Sequence, residues 1–368
     1  MTLYIILTIG AFLISMICGF VAIPIILNYC KRKQLYDIPN HRKIHTTQVP
    51  RLGGISFMPS MILAFIIAVF VISDRFQDQK IQINIWSINF MVSLTIIYAV
   101  GIIDDLIGVS AKIKFVVQVL AATLLPLSGL YINNLYGLFG IYEIPFWVGA
   151  PLTVLTIVFI DNAMNLIDGI DGLCASLTLL ALLGFLYLFW KEGLYTYSIL
   201  IVGLAGVLIP YLYFNLFGKT EKNLKIFMGD SGSLTLGFIL GFLFVKYTMD
   251  NRAVMPFCVS RMPMAYSLLI VPTFDVVRVV MHRIKIGESI FKADKNHVHH
   301  KLMDAGYSMH QALIIILMLA ITFLIINFAL YPSIGLTTIF LIDIAIYTLF
   351  HVILNSVTNK KLKKEQIK

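Results

Sequence analysis

From Leu3 to Leu27 the chain carries no charged side chain, and runs of similar length recur along most of the sequence. A helix rises about 1.5 Å per residue, so roughly 17–25 apolar residues cross the hydrocarbon core of a bilayer. Lipid offers no partner to a peptide N–H or C=O, so such runs must satisfy themselves as helices. The sequence therefore predicts an all-α, polytopic membrane protein of about eleven transmembrane helices. They fall near 3–27, 52–73, 84–103, 113–130, 146–162, 172–190, 195–216, 232–248, 263–280, 309–330 and 333–355. Of the 368 residues, 59% are hydrophobic and only 13% charged; soluble domains carry about 25% charge, which excludes one large soluble core. The first run is too long for a signal-peptide core and lacks a basic start and a small-residue cleavage site, so it reads as a retained span. Nothing resembles a repeat or a linker, and residues 1–368 read as a single membrane domain.

Charge orients the bundle. A net charge of +9 would suggest nucleic acid in a soluble protein. Here most lysines and arginines fall in alternate loops and the C-terminal tail, among them Lys31, Arg32, Arg42, Lys43, Lys112, Lys114, Lys219, Arg283, Lys292, Lys295 and Lys360. That bias places the N-terminus outside and these loops on the cytoplasmic face. It assigns the positive charge to anionic lipid and to loop chemistry, with no nucleic-acid partner. The four cysteines show no metal-ligand spacing.

Four polar motifs fall on that face. Asp104 and Asp105 end the third span. Adjacent carboxylates repel, so the pair needs a proton, a metal or a cationic partner. Ser110, in an N-cap position, and Lys114 follow at the start of the next span. Asn162, Asn165, Asp168 and Asp171 recur every third residue in DNAMNLIDGIDGL, a spacing that would keep them on one side of a helix. Gly169 and Gly172 let that stretch break. An oxygen-rich stripe without a neighbouring base suits a hard cation or a phosphate. Asp230 lies in FMGDSGS at the start of the eighth span, where helix N-terminal amides would bind an anion. Finally, His297, His299 and His300 lie in the loop 281–308. Without an acid or thiol at zinc-site spacing, they suit a phosphate-bearing ligand better than zinc.

Taken in order, DIPNHRKIHTTQVPRLGG (37–54), DD (104–105), SAKIKFVVQ (110–118), NAMNLIDGIDGL (162–173), FMGDSGS (227–233) and FKADKNHVHHKL (291–302) resemble the polyprenyl-phosphate N-acetylhexosamine-1-phosphate transferases over nearly the whole chain. The form of the last motif is similar to that of the GlcNAc branch. The resemblance implies transfer of GlcNAc-1-phosphate from UDP-GlcNAc to undecaprenyl phosphate, giving undecaprenyl-diphospho-GlcNAc and UMP. That is the first membrane step of an O-antigen, capsule or teichoic acid type of polysaccharide, in the bacterial inner membrane. It implies Mg²⁺, with Mn²⁺ as a substitute, held by Asn165 and Asp230 with Asp168 and Asp171 nearby as catalytic acids. Lys114 would meet the lipid phosphate, and Asn162 and the three histidines would contact substrate. Asp104 or Asp105 would serve as base or attack directly to form a covalent intermediate. The assembly state is left open, a homodimer included. Transfer of another UDP-N-acetylhexosamine is the rival within the class. A transporter is a rival outside it, and would place its acids near the midplane of broken helices. CDP-alcohol phosphotransferases space their acids more widely, with an arginine inside the motif.

Overall fold

The computed structural model describes residues 1–37, 48–75, 84–222, 224–289 and 296–366. Much of the 37–54 motif and the start of the 291–302 motif, with Arg42, Lys43, Lys292 and Lys295, therefore lie outside the described residues. The chain is a bundle of helices: α1 (Thr2–Lys33), α2 (Phe57–Arg75), α3 (Ile85–Ile107), α4 (Ala111–Leu127), α5 (Phe146–Ile167), α6 (Leu173–Lys191), α7 (Tyr195–Leu216), α8 (Asp230–Thr248), α9 (Arg261–Ser267), α10 (Ile270–Lys285), α11 (Val298–Asp304), α12 (Met309–Leu330) and α13 (Leu336–Gln366). Two short antiparallel hairpins complete it, Tyr36–Asp37 with Val49–Pro50 and Asn134–Leu138 with Ile141–Glu143.

All eleven expected spans coincide with helix. Among the described residues, nine helices are long and apolar enough to cross a membrane, ten if the pair α9–α10, bent by 73° at Leu268–Leu269, counts as one span. The remaining segment, α4, is 17 residues long and ends at Pro126–Leu127. The chain is thus a multi-pass, all-α membrane protein.

Helix α8 organises the rest. Every residue from Ser231 to Thr248 is buried, as expected of a helix apolar on all sides. The outer helices approach it closely where side chains are small. A methyl group on Gly237 would come within 2.6 Å of the Asp161 backbone in α5, and one on Gly101 of α3 within 2.6 Å of Ser231. Small residues at such crossings let helix backbones pack by direct contact, which replaces the hydrophobic effect that lipid cannot supply. In contrast, α1 turns Ile5, Ile9, Ile17 and Ile25 outward, as a lipid-facing helix must.

Next to the bend, three elements meet in a buried polar knot. The Tyr266 hydroxyl donates to Asp343 Oδ2 at 2.6 Å, and the Asn327 amide donates to the same oxygen at 3.0 Å and to Ser267 Oγ at 2.8 Å. These side chains come from α9, α12 and α13.

The N-terminus of α8 is fixed from a second direction. Gly53 and Gly54 donate backbone hydrogen bonds to Phe227 and Met228, and Phe227 donates to Pro50. The RLGG and FMGDSGS motifs thereby run side by side. An added methyl at Gly54 would lie 2.1 Å from the Gly232 nitrogen, and that neighbour is backbone that cannot rotate away. Gly54→Ala is therefore expected to cost about 1–3 kcal/mol, seen as a lower thermal midpoint of the detergent-solubilised protein. An unchanged midpoint would mean that these two segments do not touch.

Candidate active site

The sequence brings four helix ends to one point because α8 is central and α3, α4 and α5 end or begin beside its first turn. Asp105, buried at 5% exposure, accepts from the backbone N–H of Asp230 at 2.8 Å and of Ser231 at 2.9 Å. The anion expected at the start of α8 is thus supplied by the chain itself. A carboxylate satisfies the orphan N–H groups of a first turn and their partial positive charge. The neighbouring Gly229, at φ +75°, passes so near that a methyl there would meet the Asp105 carboxylate at 2.5 Å.

With Asp105 committed to that cap, its neighbour takes the other face. Asp104 accepts from the Val109 N–H at 2.5 Å and from Lys114 Nζ at 2.9 Å. Lys114 also reaches Asp230 Oδ2 at 2.5 Å. Ser110 caps α4 as expected, accepting from Ile113 N at 3.4 Å, which sets Lys114 one turn inside the helix. On the far side of Asp230, the Asn165 amide donates to Oδ1 at 3.2 Å and to Ser233 Oγ at 2.8 Å. Asp104, Lys114, Asp230 and Asn165, spread over 127 positions of sequence, thus form one connected cluster.

The Asn–Asp stripe departs from the expected single helical face. Helix α5 ends at Ile167 with Asp168 as its cap, and a turn through Gly172, at φ +73°, leads into α6. The two glycines make the break cheaper than continuing a helix. Asn162 and Asn165 stay on α5, but Asn162 faces Gln118. Its amide donates to Gln118 Oε1 at 2.9 Å, and Gln118 Nε2 donates to the buried Asp161 Oδ2 at 2.9 Å. That chain ties α4 to α5 one turn from Lys114 and Asn165. Asp171 is in an ion pair with Lys225 at 2.5 Å. Asp168 accepts no hydrogen bond from a described residue, and burial together with Asp230, Asp171 and Asp105 pushes its carboxyl up to about 8.

The histidine loop closes over this turn. His299 is 1% exposed, and a methyl on Gly169 would come within 2.1 Å of its Nε2. Neither ring nitrogen of His299 has a hydrogen-bond partner among the described residues. Burial, with His300 and His297 beside it, holds its pKa down to about 3, so it is a neutral imidazole. His300 lies against it with ring centroids 4.3 Å apart, and His297 stacks at 5.9 Å.

The residues suit a hard divalent cation. Asp230, Asp168 and the Asn165 amide offer carboxyl and amide oxygens, the donor set that Mg²⁺ accepts, beside the Lys114 ammonium that meets Asp230. Among the described residues no three His, Cys, Asp or Glu side chains are grouped so as to hold a metal ion by themselves. A cation here would complete its shell with substrate phosphate and water, as Mg²⁺ commonly does.

Two contributors carried too weak a signal to be singled out in the sequence: Gln118, which links α4 to α5, and Lys225, the partner of Asp171.

The sequence model of glycosyl transferase family 4 matches residues 87–248, the segment that holds Asp104, Lys114, Asn165 and Asp230. A "probable undecaprenyl-phosphate N-acetylglucosaminyl 1-phosphate transferase" of Bacillus subtilis (strain 168) is 30% identical over 96% of this chain and 93% of its own length. An undecaprenyl-phosphate alpha-N-acetylglucosaminyl 1-phosphate transferase of Yersinia pestis is 30% identical over 84% of this chain and 79% of its own. One of the same name from Escherichia coli (strain K12) is 28% identical over 83% and 77%. The motifs, the helical bundle and these relatives agree: the chain belongs to glycosyl transferase family 4.

Proposed function

We propose that the protein transfers GlcNAc-1-phosphate from UDP-GlcNAc to undecaprenyl phosphate at the cytoplasmic face of a bacterial inner membrane, opening the assembly of a cell-surface polysaccharide. The observation that carries this reading is the cluster of Lys114 between Asp104 and Asp230, with Asn165 behind. It offers a cation for one phosphate and oxygen ligands for another within a few ångströms. The names of the relatives supply the sugar and the lipid. The cytoplasmic assignment comes from the positive loops.

In this reading an oxygen of the lipid phosphate attacks the phosphorus that carries the sugar. The bond from that phosphorus to the oxygen bridging the two phosphates breaks, and UMP leaves. Phosphoryl transfer of this kind is accelerated mainly by positioning and by neutralising charge. Lys114 would bind the lipid phosphate and align it. Asp104, its carboxylate on the same side as Lys114, would take the proton of a phosphate that arrives protonated. Asp105 is fully engaged by α8 and would hold the cluster in register. Asp230 and Asn165, with Asp168 and Asp171 close by, would hold Mg²⁺, which supplies charge neutralisation on the diphosphate. His299 and His300 would contact the sugar nucleotide where the loop meets Gly169.

The direct test is to incubate the purified protein with UDP-[³H]GlcNAc, undecaprenyl phosphate and Mg²⁺. Label should enter the organic phase with release of UMP; label confined to the aqueous phase would refute the reading. Other UDP-N-acetylhexosamines compared in the same assay fix the sugar.

Two variants probe the roles. Lys114→Gln should raise the KM for undecaprenyl phosphate roughly ten- to a hundredfold, the worth of a charge-assisted hydrogen bond, while that for UDP-GlcNAc changes less. A rise confined to the nucleotide would place Lys114 on the other substrate. Asp230→Ala should abolish turnover in a protein that still purifies folded, and EDTA should silence the wild type until Mg²⁺ is restored. Full activity in EDTA would remove the metal from the scheme.

A further inference from the structure

Asp275, on the second half of the bent span, is completely buried yet lies outside the cluster of Asp104, Lys114, Asp230 and Asn165. Its carboxylate gathers donors from three elements. His297 Nδ1 lies 2.8 Å from Oδ2, while Val298 N at 3.0 Å and Arg278 at 2.7 Å reach Oδ1. The Tyr347 hydroxyl of α13 approaches Oδ1 at 3.4 Å. Arg278 also donates to the Asn296 carbonyl. Three consecutive residues at the start of α11, 296 to 298, are thus tied to one turn of α10.

The pattern dictates the state of the imidazole. A carboxylate facing a guanidinium and a backbone N–H is an ionised acceptor with no proton to give. His297 Nδ1 must then carry the hydrogen of the 2.8 Å contact, which leaves Nε2 on the opposite edge of the ring. The hydrogen bond on one ring nitrogen sets the role of the other. The ring is parallel to that of His299, at 4°, and His299 rests on Gly169 in the acidic turn. Orientation therefore passes from Asp275 through His297 to the part of the loop nearest the active site.

We propose that Asp275 is a positioning residue that fixes His297 with Nδ1 protonated and presents Nε2 to the sugar-nucleotide side of the site. The role of that nitrogen rests on the transferase reading above; the state of the ring does not.

The experiment uses the full-length protein in nanodiscs, with Asp275→Asn, His297→Ala and the double variant. Asparagine keeps the size and one acceptor but turns an amide toward the donors. Asp275→Asn should lower kcat/KM for UDP-GlcNAc roughly ten- to a hundredfold, with the KM for undecaprenyl phosphate unchanged. Added to His297→Ala it should cause no further loss, because a residue acting only through His297 has nothing left to position. Losses that multiply, or that fall equally on both substrates, would overturn the proposal in favour of a general packing role. Selective ¹⁵N labelling of histidine in the unsubstituted protein reads the tautomer without any assay. An Nε2–H signal for His297 would overturn the proposal, and an Nδ1–H signal supports it even if the Asn variant fails to fold. Absence of any GlcNAc-1-phosphate transfer by the unsubstituted protein would instead remove the transferase reading, leaving the tautomer result to stand alone.

Discussion

The site depends on one contact, the grip of Asp105 on the first two amides of α8. Helix α8 is buried from Ser231 to Thr248, so lipid does not reach the amides of its first turn. Buried amides without partners would be costly, and Asp105 removes that cost. In doing so it anchors the end of α3 to the start of α8. Everything nearby inherits its position from this anchor. Asp104 is the next residue on α3, Asp230 is the first of α8, and Lys114 follows two residues of turn and a cap. A charged cluster is thus assembled from helix ends whose places are set by packing.

The two adjacent aspartates show how unlike fates arise from neighbouring positions. In a helix successive side chains point about 100° apart, so one of the pair faces inward and the other outward along the site. Sequence alone treats Asp104 and Asp105 alike; their separation needs the location of α8. The same holds for Asn162 and Asn165, whose common spacing hides that one serves the junction of α4 and α5 through Gln118 and the other serves Asp230.

The fold class was legible because lipid imposes a harsh and simple rule on composition. Runs without charge must be helices, and each expected run coincides with helix, nine of them, among the described residues, long and apolar enough to cross a membrane. Boundaries were less readable, since proline and glycine can stop a helix without changing its apolarity, as at the end of α4. Of the cluster, every member lay in a motif noticed from residue type and order. The partnerships did not, because a hydrogen bond between positions 114 and 230 leaves no mark on local sequence. Asp275 was hidden for a different reason. It is a lone acid in an apolar run, and only the fold brings His297 to it from 22 residues away.

The bend between α9 and α10 interrupts a pair of helices that together are apolar enough to cross a membrane, and in lipid the amides and carbonyls released from a helical ladder have no solvent. The knot of Tyr266, Ser267, Asn327 and Asp343 ties the helix before that interruption to the last two helices. Helices α12 and α13 therefore brace α9 beside the bend, although neither carries a residue of the cluster around Asp230. A chain ending before Leu336 would keep Asp104, Lys114, Asn165 and Asp230 and lose Asp343, the acceptor that Tyr266 and Asn327 share. The last sixth of the molecule thus works as a brace for a broken helix, and the four clustered residues alone do not hold the bundle together.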